Sequence, residues 1–321
     1  MQLVFHESKH HLQSLMTDPH ECPASSLKVF GQPLILRNIQ RVLNILDIDT
    51  IILPEEYYTA VKLIENSFPS LLVDQFSNDK FDRNDDRILP LYQYLLNRKE
   101  PCKGAMFKVP LNTFIHCHTN GQGTGHETSI TIDSINYPWD FLRVIQKVLY
   151  DSIRYTTISP KSSIAKSSII DGPCIIEDDV VIDDFCKIKG PTYIGKGSFV
   201  GMSSLIRSSM LGEKTSIGFN CEIARTYLAG YDIMAHQNVI LDSIIGKDVW
   251  FGGYSGTANV LLNNQNVKYE VNGNLYDTGT KHFGAVVGNN CAIGASVITL
   301  PGRQVPSNST IQAGTIFGKK S

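Results

Sequence analysis

Four side chains that can bind a metal ion lie close together in the first half of the chain: His116, Cys117, His118 and His126. Alternate residues of a β-strand point to the same face, so His116 and His118 could both act as ligands. A structural zinc site would usually add a pair of closely spaced cysteines, and no such pair accompanies these histidines. We therefore predict that this cluster holds no metal.

A glycine-rich stretch at Gly121–Gly125 follows these histidines and could hold a phosphate group on its backbone N–H groups. It lacks the Lys-Ser/Thr pair of a phosphate-binding loop and does not open a clear helix. The stretch is therefore better explained as a mobile turn. Four further histidines near the start of the chain have no spacing typical of metal ligands: His6, His10, His11 and His20.

A six-residue repeat defines the second half of the chain. An aliphatic residue stands at every sixth position, namely Ile158, Ile164, Ile170, Ile176, Ile182, Ile188, Ile194, Val200 and Ile206. This period fits neither an amphipathic helix nor a simple strand. It is typical of a hexapeptide parallel β-helix, in which each unit lays one short strand on a face of a triangular coil and about 18 residues close a turn.

The position four residues after each of these anchors supports the same fold, because it should point inward near a corner and be small. The residues there are Ser162, Ser168, Cys174, Val180, Cys186, Thr192, Ser198 and Ser204, with Met210 as the only large one. The repeat slips near Gly212. Beyond it, inward-pointing anchors are predicted at Ile217, Ile223, Ile233, Val239, Ile245, Phe251, Val287, Ile293, Val305 and Ile311.

Residues 261–283 break this period, and they contain two β-prone stretches around Asn272-Gly273, a strong hairpin signal. We interpret them as a loop ejected from one corner of the coil. Such long loops in compact folds tend to be functional or disordered.

The first half of the chain alternates predicted strands and helices. Strands are predicted at 3–5, 49–53, 70–73 and 129–132, and helices at 33–46, 55–66 and 139–151. This order favours an α/β domain with a mostly parallel sheet. We divide the chain into an α/β domain at 1–152 and a left-handed β-helix at 153–321. The sequence of residues 74–127 does not predict their structure.

Composition limits the partners and the compartment. The chain has 321 residues and a net charge of −2, which favours neither nucleic acid nor an anionic membrane surface as a partner. No apolar run approaches the ~18 residues of a spanning helix, and the start lacks the apolar core of a signal peptide. Four of the seven cysteines occupy the small inward position of the repeat (Cys174, Cys186, Cys221 and Cys291) and are expected to be core fillers in a reducing cytoplasm.

An α/β domain followed by a hexapeptide β-helix resembles the sugar-phosphate nucleotidyltransferases. In particular, the chain looks like the bifunctional N-acetylglucosamine-1-phosphate uridyltransferases/glucosamine-1-phosphate acetyltransferases and their archaeal relatives. Four segments carry the resemblance: 27–36 (LKVFGQPLIL), 134–142 (SINYPWDFL), 220–249 and 272–288.

The family's nucleotide-binding loop is glycine-rich and should follow the first strand. Here no glycine occurs between Phe5 and Gly31, Gln32 stands where the family has a lysine, and no Gly-Asp carboxylate for Mg²⁺ is evident. Cβ atoms would block the close approach of a phosphate to the backbone. We expect a degenerate, Rossmann-type nucleotidyltransferase-like domain that has lost nucleotidyl transfer. A weakly active nucleotidyltransferase and a sugar-phosphate binding module stay open as alternatives.

The resemblance assigns roles in the β-helix. His236 falls on the general base that would deprotonate an amino group as its nitrogen attacks the thioester of acetyl-CoA, a role that suits the pKa of histidine. Arg207 falls at or beside a phosphate-binding arginine. Further matched positions are the substrate-binding candidates Asn259, Lys281 and His282, and the residues lining the CoA groove, Gly253, Ala295 and Ala313. His236 and Arg207 could instead be ordinary surface residues, and Lys281 and His282 solvated charges of the loop.

Several family positions are changed: Ala224 and His282 replace lysines, Val239 replaces a tyrosine, and Trp250 replaces an asparagine. The resemblance therefore predicts an acetyl-CoA-dependent acyltransferase for an amino-sugar phosphate or sugar nucleotide, with the acceptor sugar unnamed. The changes leave open a non-catalytic trimeric scaffold or binding protein derived from such an enzyme. The family also implies a homotrimer, whose acyltransferase grooves lie between subunits.

Overall fold

The computed structural model of the chain describes residues 1–6, 27–44, 46–76, 88–91, 106–120 and 127–318. The glycine-rich stretch 121–125 and His126 lie outside these ranges, as do His10, His11 and His20. The side chains of His6, His116, Cys117 and His118 are likewise outside the description. The described residues divide into two compact units, one ending at Asn136 and the other beginning at Tyr137.

The first unit contains a five-stranded sheet in the order β5-β4-β1-β7-β6, and every neighbouring pair in it is parallel. Its strands are β1 (Gln2–His6), β4 (Thr50–Pro54), β5 (Leu72–Phe76), β6 (Ile88–Pro90) and β7 (Met106–Pro110). Helices α1 (Leu34–Leu43) and α2 (Tyr58–Ser67) accompany the sheet. The α/β class predicted from the alternation of elements is therefore confirmed.

Two antiparallel hairpins complete the described part of this unit. They pair β2 (Lys28–Val29) with β3 (Gln32–Pro33), and β8 (Thr113–Asn120) with β9 (Glu127–Ser134). The strand predicted at 129–132 thus belongs to a hairpin and not to the parallel sheet. The buried Asn38 of α1 joins this hairpin to the core, because its amide donates to the carbonyl of Thr113 (2.6 Å) and accepts from the N–H of Ile115 (3.1 Å).

The second unit is a left-handed β-helix with three faces, each an eight-stranded parallel sheet. The strands of the first face are Thr157–Ile158, Cys174–Ile176, Thr192–Ile194, Met210–Leu211, Tyr227–Leu228, Ile244–Ile245, Ala285–Val287 and Arg303–Val305. Those of the second face are Ser163–Ile164, Val181–Ile182, Phe199–Val200, Ser216–Phe219, Ile233–His236, Trp250–Phe251, Ala292–Ile293 and Thr310–Ile311. Those of the third face are Ile169–Asp171, Lys187–Lys189, Leu205–Arg207, Glu222–Ala224, Val239–Leu241, Gly256–Thr257, Ile298–Thr299 and Ile316–Phe317.

The predicted anchors fill the interior of the β-helix with three exceptions. From Ile176 to Ile223 they are buried in one continuous core, whereas Ile158, in the first coil, is exposed. Ile233 and Val239 were predicted to point inward, and this is wrong: their side chains are 47% and 43% exposed. Their neighbours Met234 and Ile240 are fully buried instead.

The error has a physical cause at the corner between the third and first faces. Along the first face, Ile194 pairs in register with Leu211, Leu211 with Leu228, and Leu228 with Ile245, at intervals of 17 residues. The corner can omit one residue while the strands on the faces stay in register. At this corner Ile245 follows Ile240 after only five residues, so a strict six-residue count back from Ile245 gives the outward neighbours Val239 and Ile233.

The small inward positions are buried as predicted from Cys174 onward, and the four cysteines among them are free thiols in the core. One such position holds a buried aspartate, Asp232, which the sequence did not indicate. Its carboxylate accepts the backbone N–H groups of Gly230 and Val249, each at 3.0 Å. Burial raises the pKa of Asp232 well above its usual range, although these two hydrogen bonds oppose the shift.

Helix α3 (Pro138–Ser152) belongs to this second unit and covers part of the first face. Phe141 packs edge-on against Tyr227 with their ring centroids 4.8 Å apart, and Gln146 donates to the carbonyl of Ser208 (2.9 Å). The domain boundary at 152/153 stays a prediction, because a division by compactness does not show which segment folds by itself. None of the described helices is both long and apolar enough to cross a bilayer.

Candidate functional site

The corner between the second and third faces brings His236 together with the three residues predicted to line a CoA groove. We call this column the His236 corner. The carbonyl of His236 accepts the N–H of Tyr254 (2.9 Å) in the next coil, and the carbonyl of Gly253 accepts the N–H of Ser296 (2.9 Å). One coil further, the carbonyl of Ala295 accepts the N–H of Gly314 (2.8 Å). His236, Gly253, Ala295 and Ala313 therefore occupy equivalent positions in successive coils.

His236 ends the strand Ile233–His236, and the chain turns at Gln237, whose φ of 52° is left-handed. The imidazole is exposed and lies in register with Phe219 of the preceding coil. Among the described residues, no side chain or backbone group makes a hydrogen bond to this imidazole. A partner that orients the ring, as a general base requires, is therefore not supplied by the described part of this chain.

Arg207 lies at the end of a third-face strand and is held by an acidic neighbour. Its Nε and Nη2 donate to the same oxygen of Glu222, at 3.1 and 2.7 Å, and both side chains are about one-third exposed. Glu222 was not predicted as its partner. Because an arginine has five N–H donors, this pair leaves donors of Arg207 for a ligand.

Arg207 and His236 stand at opposite edges of the third face. Arg207 pairs in register with Ala224, which pairs with Leu241 in the coil of His236. Two strand spacings therefore separate the two residues along the axis, about 10 Å. The face between them carries Val239 and Leu241, so it is largely apolar where the family has polar contacts.

A third group of polar residues is stacked at the corner between the third and first faces. Arg225 makes two hydrogen bonds to Asp242, from Nε to Oδ1 (2.6 Å) and from Nη2 to Oδ2 (2.7 Å), and Asn259 donates to Oδ2 (2.5 Å). The hydrogen bonds to Asp242 raise the pKa of Arg225. Arg225 thus points to this corner and does not replace the lysine missing at Ala224.

Asn259 lies just before the ejected loop and helps to close its base. Its side chain is used by Asp242, and its carbonyl accepts the N–H of Phe283 (2.9 Å). These two contacts give Asn259 a structural role, independent of any substrate. The partner Asp242 was not identified from the sequence, because the two residues meet only when successive coils stack.

The loop contains the predicted hairpin, in which Lys268–Val271 pairs with Asn274–Asp277. Asn272 and Gly273 both have positive φ, 50° and 80°, as a tight two-residue turn requires. Beyond the hairpin, Lys281 and His282 are exposed, and the N–H of His282 donates to the hydroxyl of Thr280 (3.1 Å). Both residues follow the corner of Asn259, so the structure does not group them with His236.

Comparisons with known proteins concern mainly the β-helix. The family model of the bacterial transferase hexapeptide (six repeats) matches residues 173–208. A bifunctional protein GlmU from Methanococcus vannielii is 34% identical over 190 residues, covering 58% of this chain and 44% of that protein. The predicted resemblance is confirmed. A bifunctional sugar-1-phosphate nucleotidylyltransferase/acetyltransferase from Sulfurisphaera tokodaii is 30% identical over 111 residues, covering 35% of this chain and 28% of that protein.

The chain spans less than half the length of these two relatives. Among solved structures, the acetyltransferase domain of PglB from Neisseria gonorrhoeae in complex with acetyl coenzyme A aligns with 82% of this chain and 94% of that chain. The identity is 10% and the TM-score 0.21, and a likeness of this size supports no functional argument.

Proposed function

We propose that the β-helix is an acetyl-CoA-dependent acyltransferase acting on an amino-sugar phosphate or a sugar nucleotide. The observation that carries the proposal is the column of His236, Gly253, Ala295 and Ala313 along one corner, which is exposed except at the half-buried Gly253. In the reaction, the acceptor nitrogen attacks the thioester carbonyl while His236 takes a proton from that nitrogen. The C–S bond then breaks, and the CoA thiolate leaves and is protonated, which completes the amide and releases free CoA.

The small residues of this column suit the extended arm of CoA. Gly253, Ala295 and Ala313 have nothing beyond Cβ, so a chain of atoms could run along the corner beside the backbone. The distance from His236 to Ala313 is three strand spacings, about 14 Å. The thioester would thus lie at the His236 end of a narrow groove.

The third face supplies the surface for the acceptor. Arg207 carries free N–H donors that could hold a phosphate, and the acidic Glu222 beside it could attract an ammonium group. We infer that Arg207 binds the phosphate of the acceptor, about 10 Å along the axis from His236. Asn259, Lys281 and His282 remain weaker candidates for acceptor binding, because the side chain of Asn259 is bonded to Asp242 and the other two residues belong to the ejected loop.

We infer that the chain assembles as a homotrimer, with its acyl-transfer sites between subunits. Large apolar side chains are exposed on the second face (Val181, Phe199, Ile233 and Trp250), on the third face (Ile169, Val239, Ile298 and Ile316), and at the corner between these faces (Phe185, Met202, Phe219 and Tyr254). The outward row of the first face is instead buried from Tyr193 to Val286, and α3 covers part of it. Extended apolar surfaces of this kind mark interfaces, and here they surround His236. A neighbouring subunit would then provide the missing partner of its imidazole.

The apolar residues of the second and third faces also support a second candidate function, a non-catalytic trimeric scaffold or binding protein. Val239 and Trp250 are exposed where the family has polar groups, and Ala224 is fully buried. For the first domain we propose that nucleotidyl transfer is lost, with weak nucleotidyl transfer as the alternative. We expect the protein to act in the cytoplasm without nucleic-acid or membrane partners, because its charge is balanced and its described thiols are free.

The decisive experiment measures thiol release from acetyl-CoA with a panel of amino-sugar phosphates. Removing a general base typically lowers the rate by ~10²–10⁴, so His236→Ala should nearly abolish release with the assembly intact. Lys196→Ala is the matched control, because Lys196 is exposed near the corner between the first and second faces. Wild-type turnover in His236→Ala would contradict the role of His236.

If CoA at millimolar concentration gave no thermal stabilisation, the scaffold would be favoured, since a bound ligand must stabilise the fold.

A further inference from the structure

A cavity of about 320 Å³ lies within the second unit, between helix α3 and the end of the ejected loop. Trp139, Leu142 and Arg143 of the helix line it, together with Arg225 and Asp242 of the β-helix and His282 of the loop. Of these residues, Arg225 and Asp242 belong to the corner between the third and first faces. His236 is not among the lining residues, so the cavity is separate from the proposed acyl-transfer site.

One wall of the cavity is flat, apolar and fixed in position. The indole of Trp139 stacks on Tyr137, with ring centroids 4.4 Å apart and an interplanar angle of 6°. The rings of Tyr269 and Phe283 pack against it edge-on, at 5.7 and 6.4 Å. Phe283 and Leu142 are themselves buried. A rigid aromatic wall of this kind can receive the apolar face of a ligand ring without rearranging.

The two arginines of the cavity are each paired with an aspartate, and Arg143 keeps N–H donors for a ligand. At its base, the charge of Asp242 is matched by Arg225, and its oxygens accept three hydrogen bonds. Arg143 adds a second cation at the mouth. It is mostly exposed and uses Nη2 for Asp140 (2.8 Å), which does not line the cavity. The remaining N–H groups of Arg143 and the imidazole of His282 can therefore bind an anion.

We propose that this cavity binds a small phosphorylated sugar at a second site, distinct from the one at the His236 corner. The sugar ring would pack on Trp139, and its phosphate would bind Arg143 and His282. The volume lies at the lower end of the range for small-molecule sites, about 300–1,000 Å³. An arginine fork matches the oxygens of a phosphate in two hydrogen bonds, which favours phosphate over a neutral sugar.

The chain offers a direct test, because it has only two tryptophans and only Trp139 lines the cavity. In the full-length Trp250→Phe variant, the tryptophan fluorescence reports the cavity alone. We expect glucose 1-phosphate to change this fluorescence in a saturable way, inorganic phosphate to compete with it, and glucose to have no effect at the same concentrations. Glucose 1-phosphate has no amine to acetylate, so the test is independent of acyl transfer.

Substitutions then locate the anion. In the Trp250→Phe background, Arg143→Gln should weaken the binding of glucose 1-phosphate at least about tenfold. Arg154→Gln removes the same charge from an exposed arginine outside the cavity and should leave binding unchanged. His236→Ala should also leave it unchanged. Three results would overturn the proposal: no saturable change with glucose 1-phosphate, equal affinity for glucose, or wild-type affinity in Arg143→Gln.

Discussion

Replacing Asp242 with asparagine should destabilise the β-helix by about 2–3 kcal/mol. Asp242 accepts two hydrogen bonds from Arg225 and one from Asn259, and its side chain is only 7% exposed. Breaking a fully buried ion pair costs about 3–5 kcal/mol, whereas an exposed pair contributes about 0–1 kcal/mol. Arg225 is one-third exposed, so water can solvate it after the substitution and the expected cost falls between these limits.

Asparagine is the right substitution because Asp242 has a φ of 46°. Asparagine tolerates this left-handed conformation, whereas alanine would add backbone strain of about 1–2 kcal/mol. The asparagine amide would place a donor against the donors of Arg225 or Asn259, so at least one hydrogen bond is lost.

The assay is denaturant unfolding followed by circular dichroism, with Glu222→Gln as the matched control. That control breaks the Arg207–Glu222 pair, in which both side chains are one-third exposed, and should cost at most about 1 kcal/mol. A double-mutant cycle of Asp242→Asn with Arg225→Gln should give a coupling energy above about 1 kcal/mol. Equal destabilisation by Asp242→Asn and Glu222→Gln, or no coupling with Arg225, would refute the reasoning.

Three further predictions test the core and the boundary of the β-helix. Ile240→Ala should lower the free energy of unfolding by about 2–5 kcal/mol, because the side chain of Ile240 is fully buried. Val239→Ala, one residue away but exposed, should lower it by about 0.5 kcal/mol or less. Equal losses in denaturant unfolding would contradict the corrected register. The raised pKa of Asp232 means that the folded state binds this proton more tightly than the unfolded chain, so its contribution to stability should be greatest below the unfolded pKa of about 3.9 and be lost as the pH rises. Asp232→Thr should remove that loss in thermal melts between pH 5 and pH 8, and an unchanged pH slope would argue against a shifted pKa. A fragment of residues 137–321 should melt higher than one of residues 153–321, because only the longer fragment keeps Phe141 on Tyr227; equal melting temperatures would favour the boundary at 152/153.

The strongest sequence predictions concern contacts that repeat. Each anchor of the β-helix packs on its equivalent in the next coil, so the same local pattern recurs many times along the chain. A single sequence is therefore enough to predict the fold. The Asn272-Gly273 turn was predictable for a different reason: both residues have positive φ, which few residue types adopt readily. Gly253, Ala295 and Ala313 were named by the resemblance to the family, and the stacking of the coils places them in one column with His236.

The inward positions between Ile223 and Ile245 could not be settled in this way. Ile233 and Met234 are adjacent apolar residues, as are Val239 and Ile240, so composition does not distinguish inward from outward. The choice depends on how many residues a corner contains, and that number changes between coils without disturbing the hydrogen bonds of the faces.

The sequence alone determined the coil and its buried anchors from Ile176 to Ile223, because these depend on spacing along the chain. Tertiary structure decided the remaining polar contacts. Arg225 meets Asp242, and Asp242 meets Asn259, only because the intervening coils close and stack. Asp232 loses its water only inside the finished core. The cavity beside Trp139 likewise needs a helix and a loop that are far apart in sequence, and no local pattern encodes which distant surfaces will enclose a common space.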